Sequence, residues 1–150
     1  MGHTYSNVFV HAVFSTKGRL PTIRESFKER LYQYLSGVAR NEVGQATRIG
    51  GTDNHIHLLL WLKPAVSIAE AIRKMKSISS GWVHETFPGN RDFGWQSGYS
   101  VFGVSASAAP AIAHYIERQA EHHKTVTFEE EFIALLKENG VEYDPRYIWD

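Results

Sequence analysis

The sequence predicts an α+β fold of ferredoxin-like type: a βαββαβ antiparallel sheet with helices on one face, plus C-terminal helices. Three observations carry this. Four short runs rich in β-branched and aromatic residues alternate with stretches of helical periodicity in that order. The chain of 150 residues, 43% of them hydrophobic, suits one domain over residues 1–150, with a real core. No Pro/Gly/Ser linker, internal repeat or low-complexity tract divides it.

Val8-Phe9-Val10-His11-Ala12-Val13-Phe14 is the first strand, broken by Lys17-Gly18-Arg19-Leu20-Pro21. From about Arg24 to Asn41, Phe27, Leu31, Leu35 and Val38 recur at helical spacing, and Gly44 ends that helix. Ala46 to Gly51 reads as the second strand. Asn54 to Leu62 is a largely apolar third, stopped by Lys63-Pro64. Ser67 to Glu70 spells a capping box, and the helix behind it sets Ile68, Ile72, Met75, Ser79 and Trp82 on one stripe. Phe87 to Gly94 is a loop, and Tyr99 to Ser105 the fourth strand. Ser107 is placed to cap a helix with Pro110 in its first turn, running to about His123. Thr127 to Asn139 forms another helix before Gly140.

Composition excludes several classes. With no cysteine there is no disulfide and no thiolate zinc site, so a metal must sit on His, Asp, Glu or an amide. No apolar run approaches the roughly 20 residues of a membrane span, and Met1 to Ser6 lacks a signal-peptide pattern. A soluble, cytoplasmic protein is expected. The net charge of zero argues against nucleic acid until it is sorted by position. Residues 1–50 carry seven Lys/Arg and three acids, 51–100 five and four, and 101–150 four and nine. A basic body is followed by an acidic end, so any nucleic acid should be held by shape, stacking and metal, with modest salt dependence.

His55 and His57 stand two apart on a strand, so both leave the same face with Cα atoms roughly 6.5–7 Å apart. Imidazoles at that spacing can converge on one divalent ion. Tyr115 and Gln119 stack at i and i+4 on a helix, and His122 continues the row beside the apolar stripe of Ile112, Ile116 and Ala120. A phenol is a poor nucleophile near its ordinary pKa of about 10. A metal held by two His and an amide would help it attack a phosphodiester. The product, a phosphotyrosine, keeps the ester energy for rejoining strands.

Asn54-His55-Ile56-His57-Leu58-Leu59, Trp95-Gln96-Ser97-Gly98-Tyr99-Ser100-Val101-Phe102-Gly103-Val104-Ser105 and Tyr115-Ile116-Glu117-Arg118-Gln119-Ala120-Glu121-His122-His123 together resemble the single-tyrosine transposases of the HUH endonuclease superfamily. The branch is similar to the small insertion-sequence transposases and their relatives associated with repeated extragenic palindromes, over nearly the whole chain. The resemblance implies both His on a central strand, Tyr115 as nucleophile, and Gln119 as third metal ligand with His55 and His57. It further implies Mg²⁺ or Mn²⁺ as cofactor and hairpin-bearing single-stranded DNA as substrate, cleaved and transferred through a 5′-phosphotyrosine. Homodimers in which one chain's tyrosine helix can complete the other's site are also implied.

Lesser candidates surround these. Lys17, Arg19, Arg73, Lys74 and Lys76 are candidates for phosphate contacts, though such side chains more often form a solvated face. Trp95 is a candidate for base stacking, whereas Phe102 reads as core. His114 and His123 read as surface histidines without a role, and Glu129-Glu130-Glu131 as a solvated helix start. Two rivals stand beside the transposase. A histidine-triad hydrolase needs a third alternating His, where this chain has Leu59. A non-catalytic nucleic-acid-binding module of the same fold has no need of the His55, His57, Tyr115 and Gln119 set.

Overall fold

Alternation along the two central strands decides the architecture. A computed structural model describes residues 2–150. Its elements are β1 (Val8–Ser15), α1 (Lys28–Glu42), β2 (Gly44–Gly51), β3 (His55–Leu62), α2 (Ile68–Thr86), β4 (Ser100–Val104), α3 (Ala109–Glu117), α4 (Gln119–His122) and α5 (Phe128–Glu138), with a one-turn 3-10 helix at Lys17–Arg19. The sheet order is β2-β3-β1-β4 and every pairing is antiparallel. The predicted βαββαβ order and ferredoxin-like sheet are therefore present. No helix among the described residues is long and apolar enough to cross a membrane.

One sheet face carries Val10, Ala12 and Phe14 from β1 and Ile56, Leu58, Leu60 and Leu62 from β3. Against it pack Leu31, Leu35 and Val38 of α1 and Ala71, Ile72, Met75 and Val83 of α2. Each fully buried aliphatic side chain there contributes about 1.5–3 kcal/mol, which makes this layer the main source of stability. The intervening residues of the same strands, His11 and Val13, then His55 and His57, point the opposite way. That second face is covered by the C-terminal helices, through a smaller apolar cluster of Val13, Phe102, Phe128, Phe132 and Leu136. The sheet is thus apolar on one side and mixed on the other, and the polar exceptions lie beneath the C-terminal segment.

Element ends shift by a few residues, α1 starting at Lys28 and β2 at Gly44, and two differences fall in the segment that carries Tyr115. The single helix expected from Ser107 to about His123 breaks at Arg118, which leaves helical geometry and separates α3 from α4. Neither Gly nor Pro marks this break. Its amide closes a tight turn on the Tyr115 carbonyl at 3.2 Å, and the turn re-aims Gln119 toward the sheet. The cap at the start of α3 also shifts, for Ser105 Oγ accepts the Ala108 amide at 3.2 Å and Ser107 does not.

Gly50 of β2 sets how closely α3 approaches the sheet. A Cβ at that position would lie 2.2 Å from the Ile116 carbonyl oxygen, so helix backbone rests directly on strand backbone. Gly50→Ala should push α3 outward and destabilise the protein by about 1–3 kcal/mol, the range for forced overpacking. Denaturant unfolding measures this, and an unchanged midpoint would show that the contact is not tight.

Candidate active site

The polar face of β3 is closed over completely. His55 and His57 are 0% exposed, and beneath α4 and α5 they meet Gln119 at 1% and Glu131 at 3%. Each imidazole is held from behind. His55 Nδ1 lies 2.9 Å from Asn54 Oδ1 and 3.0 Å from Thr52 Oγ1, while His57 Nδ1 lies 2.8 Å from His11 Nε2. Such outer contacts fix ring orientation and tautomer and turn both Nε2 atoms inward.

Inside, His55 Nε2 and Gln119 Oε1 stand 2.9 Å apart, and His57 Nε2 is 3.1 Å from Glu131 Oε1. His123 Nε2 approaches both Gln119 Oε1 and Glu131 Oε1 at 3.0 Å. The second carboxylate oxygen accepts from Gln119 Nε2 at 2.9 Å and from the Tyr115 hydroxyl. Tyr115 is half-buried at the rim, edge-on to His11, His57 and His122. The tyrosine helix therefore meets the histidines of its own chain.

Burial dominates the electrostatics. It pulls His57 down, and it pulls His11 to about 3 with help from neighbouring His57, so both rings are neutral at physiological pH. For Glu131, burial alone would raise the carboxyl, but hydrogen bonds to His123, His55 and His57 outweigh it and hold the group well below the usual carboxylate range. His123 is lowered by burial yet raised overall by its bond to Glu131. Burial first, then the Glu131 carboxylate, push the Tyr115 phenol upward. The phenol is consequently a proton donor at neutral pH and needs activation before it can attack.

The donor set fits a divalent cation. In the tautomer that gives Nδ1–H of His55 to the Asn54 oxygen, His55 Nε2 would turn a lone pair toward Gln119 Oε1, 2.9 Å away. Two acceptors facing each other in a dry site repel, and a cation between them turns the repulsion into attraction. Imidazoles, an amide oxygen and a carboxylate together make a donor set that a divalent cation accepts. One ligand atom from each of His55, His57 and Glu131 lies within 4.8 Å of the others.

The structure brings Tyr115, Gln119, His55 and His57 into one cluster and sets Arg73, Lys74, Lys76 and Trp95 apart from it. α2 covers the far sheet face, so Arg73, Lys74 and Lys76 lie on the layer away from the histidines. Lys74 is paired with Glu42 at 3.0 Å and Glu70 at 3.4 Å. Lys76 Nζ is clamped on the carbonyls of Gln96, Ser97 and Gly98, with burial pulling it down to about 8. Only Arg73 of these three is solvent-exposed and unpaired among the described residues. Trp95 packs edge-on against Phe14 and Phe93 and donates to Ser79 Oγ at 3.0 Å, so its part-exposed ring is held against the main core on the layer away from the histidines. Lys17 is exposed at the end of β1 nearest His55, and Arg19 lies over the Trp149 ring, 3.9 Å from Glu129.

Two side chains of the cluster correct the sequence reading. Glu131 is a buried centre of hydrogen bonding, not part of a solvated helix start, and His123 lies against the cluster and not on open surface. A signal for Glu131 was present. Thr127 and Glu130 form a capping box that fixes the start of α5. Phe128, Phe132 and Leu135 then define a stripe on which position 131 also falls. An acid on an apolar stripe asks for a partner.

An antiparallel sheet of this order, with a tyrosine helix laid across it, is the fold of the tyrosine transposases. A crystal structure of a candidate transposase from Deinococcus radiodurans superposes with TM-score 0.62 at 24% identity, covering 79% of this chain and 96% of that one. A REP-associated tyrosine transposase bound to a REP hairpin superposes with TM-score 0.60 at 14% identity, covering 95% and 87%. Residues 4–119 match the family model described as IS200-like transposase, and the chain belongs to that family. No curated protein sequence matches it significantly.

Proposed function

We propose that this transposase cleaves and transfers single-stranded DNA through a 5′-phosphotyrosine at Tyr115, with Mg²⁺ or Mn²⁺ held by His55, His57 and Gln119. The observation that supports this best is the meeting of a phenol and a convergent imidazole–amide set within one chain. When bound, the ion would polarise the phosphodiester and offset the charge that develops at phosphorus. Tyr115 supplies the nucleophile: the Oη–P bond forms as the P–O3′ bond breaks, the phenol gives up its proton, and the departing oxygen takes one up. Asn54 and His11 hold the two imidazoles in register, so the ligands are set before DNA arrives.

Hairpin-bearing strands are the proposed substrate, since one solved structure of this fold is that of a transposase bound to such a hairpin. Lys17, at the His55 end of the site, and Arg19 beside it are the proposed phosphate contacts. A homodimer belongs to the same reading, and sedimentation gives its mass.

The test is incubation of the protein with labelled hairpin-bearing strands, followed by denaturing electrophoresis. A protein–DNA adduct should form with Mg²⁺ or Mn²⁺ and disappear with EDTA. Free ends without adduct at any time would favour a hydrolase. Binding with neither cleavage nor adduct would favour the non-catalytic module.

A further inference from the structure

The sequence motifs account for three ligands, all neutral, and the matched family segment stops at residue 119. Glu131 lies beyond it, on α5, yet sits in the middle of the cluster. We propose that Glu131 is a fourth ligand of the divalent ion and that its second oxygen fixes the Tyr115 phenol beside it. This rests on reading His55, His57 and Gln119 as a metal site.

The two carboxylate oxygens divide the work by position. Oε1 faces the imidazole nitrogens, at 3.1 Å from His57, 3.5 Å from His55 and 3.0 Å from His123. Oε2 faces the other way, toward the Tyr115 hydroxyl, Gln119 Nε2 at 2.9 Å and His122 Nε2 at 3.5 Å. One group thus touches both the proposed ligands and the proposed nucleophile. Hard divalent cations prefer oxygen donors and are usually bound through at least one carboxylate. Glu131 adds the negative charge that two imidazoles and an amide lack.

The surroundings keep it there. Phe128, Phe132 and Leu136 anchor α5 in the second apolar cluster, and Phe128 stacks on the His55 ring with centroids 4.2 Å apart. The Thr127–Glu130 capping box holds the helix start, so position 131 is presented at a fixed depth. A carboxylate buried only for stability would be an expensive choice at this point, because a packed apolar side chain serves that purpose as well or better.

The experiment is a Mn²⁺ titration of the full-length, chelator-stripped protein, following free Mn²⁺ by electron paramagnetic resonance. The native chain should bind Mn²⁺ at a single site. Glu131→Gln keeps an acceptor for the phenol but removes the charge, and should weaken binding at least about tenfold. Glu131→Asp, which keeps the anion one methylene further back, should fall between the two. Circular dichroism identifies which variants are folded. A folded variant of either kind that binds as tightly as the native chain overturns the proposal while leaving the His–Gln site intact. No binding by the native chain overturns the metal reading and this inference together.

Discussion

Tyr115→Phe is expected to remove the covalent protein–DNA adduct and to lower strand cleavage by at least about a thousandfold, as loss of a nucleophile does. The change deletes one oxygen. The ring keeps its edge-on contacts to His11, His57 and His122, so the cluster keeps its shape. What is lost structurally is one hydrogen bond to Glu131, which still accepts from Gln119. Stability should therefore fall by only about 1 kcal/mol. Strand cleavage under denaturing electrophoresis and a thermal melt measure the two effects separately. A full-yield adduct in the variant would assign the nucleophile elsewhere.

His57→Ala should have an effect of similar rank for a different reason. It removes an inward Nε2 atom, so divalent ion affinity and cleavage should both drop by at least about a hundredfold. Unlike the tyrosine variant, it should also destabilise the fold. The ring is fully buried and joins His11 to Glu131, at 2.8 and 3.1 Å. Its removal leaves a cavity and takes hydrogen bonds from both neighbours, at a cost of about 2 kcal/mol or more. Raising Mn²⁺ should restore cleavage only in part. Wild-type cleavage in a folded His57→Ala chain would remove this histidine from the chemistry.

Much of the site was legible because its geometry is local. Two residues apart on a strand means the same face, and Ile56 between the histidines points into the main core as alternation requires. Tyr115 and Gln119 were found by helical spacing, although the helix breaks between them and the two side chains meet the cluster from separate elements. The break was hidden because its cause is tertiary: Ile116 settles on Gly50, and Gln119 reaches His55. Glu131 and His123 were missed for the same kind of reason. His123 looks solvated in its own segment and Glu131 carries only the stripe as a signal; the packing of α5 across the second sheet face buries Glu131 and brings His123, part-buried, against it.

The basic residues teach the opposite lesson. Grouping charge along the chain put Arg73, Lys74 and Lys76 with a DNA-facing body, but a helix stripe does not tell which side of a sheet the helix covers. Apolar Ile56, Leu58 and Leu60 draw α2 to the layer opposite the histidines. On the proposed reading, neutral net charge and few cations near the cluster leave shape and metal as the larger contributors to DNA binding, so affinity should fall only modestly with added salt.

We propose that Tyr115, beside a divalent ion held by this chain's own histidines, becomes joined to DNA. Mass spectrometry of the peptide carrying the label after reaction with hairpin DNA tests it directly. A nucleotide attached through its 5′-phosphate to Tyr115 is expected, formed with Mg²⁺ or Mn²⁺ and absent with EDTA. Attachment at any other residue, or equal yield without metal, would contradict it.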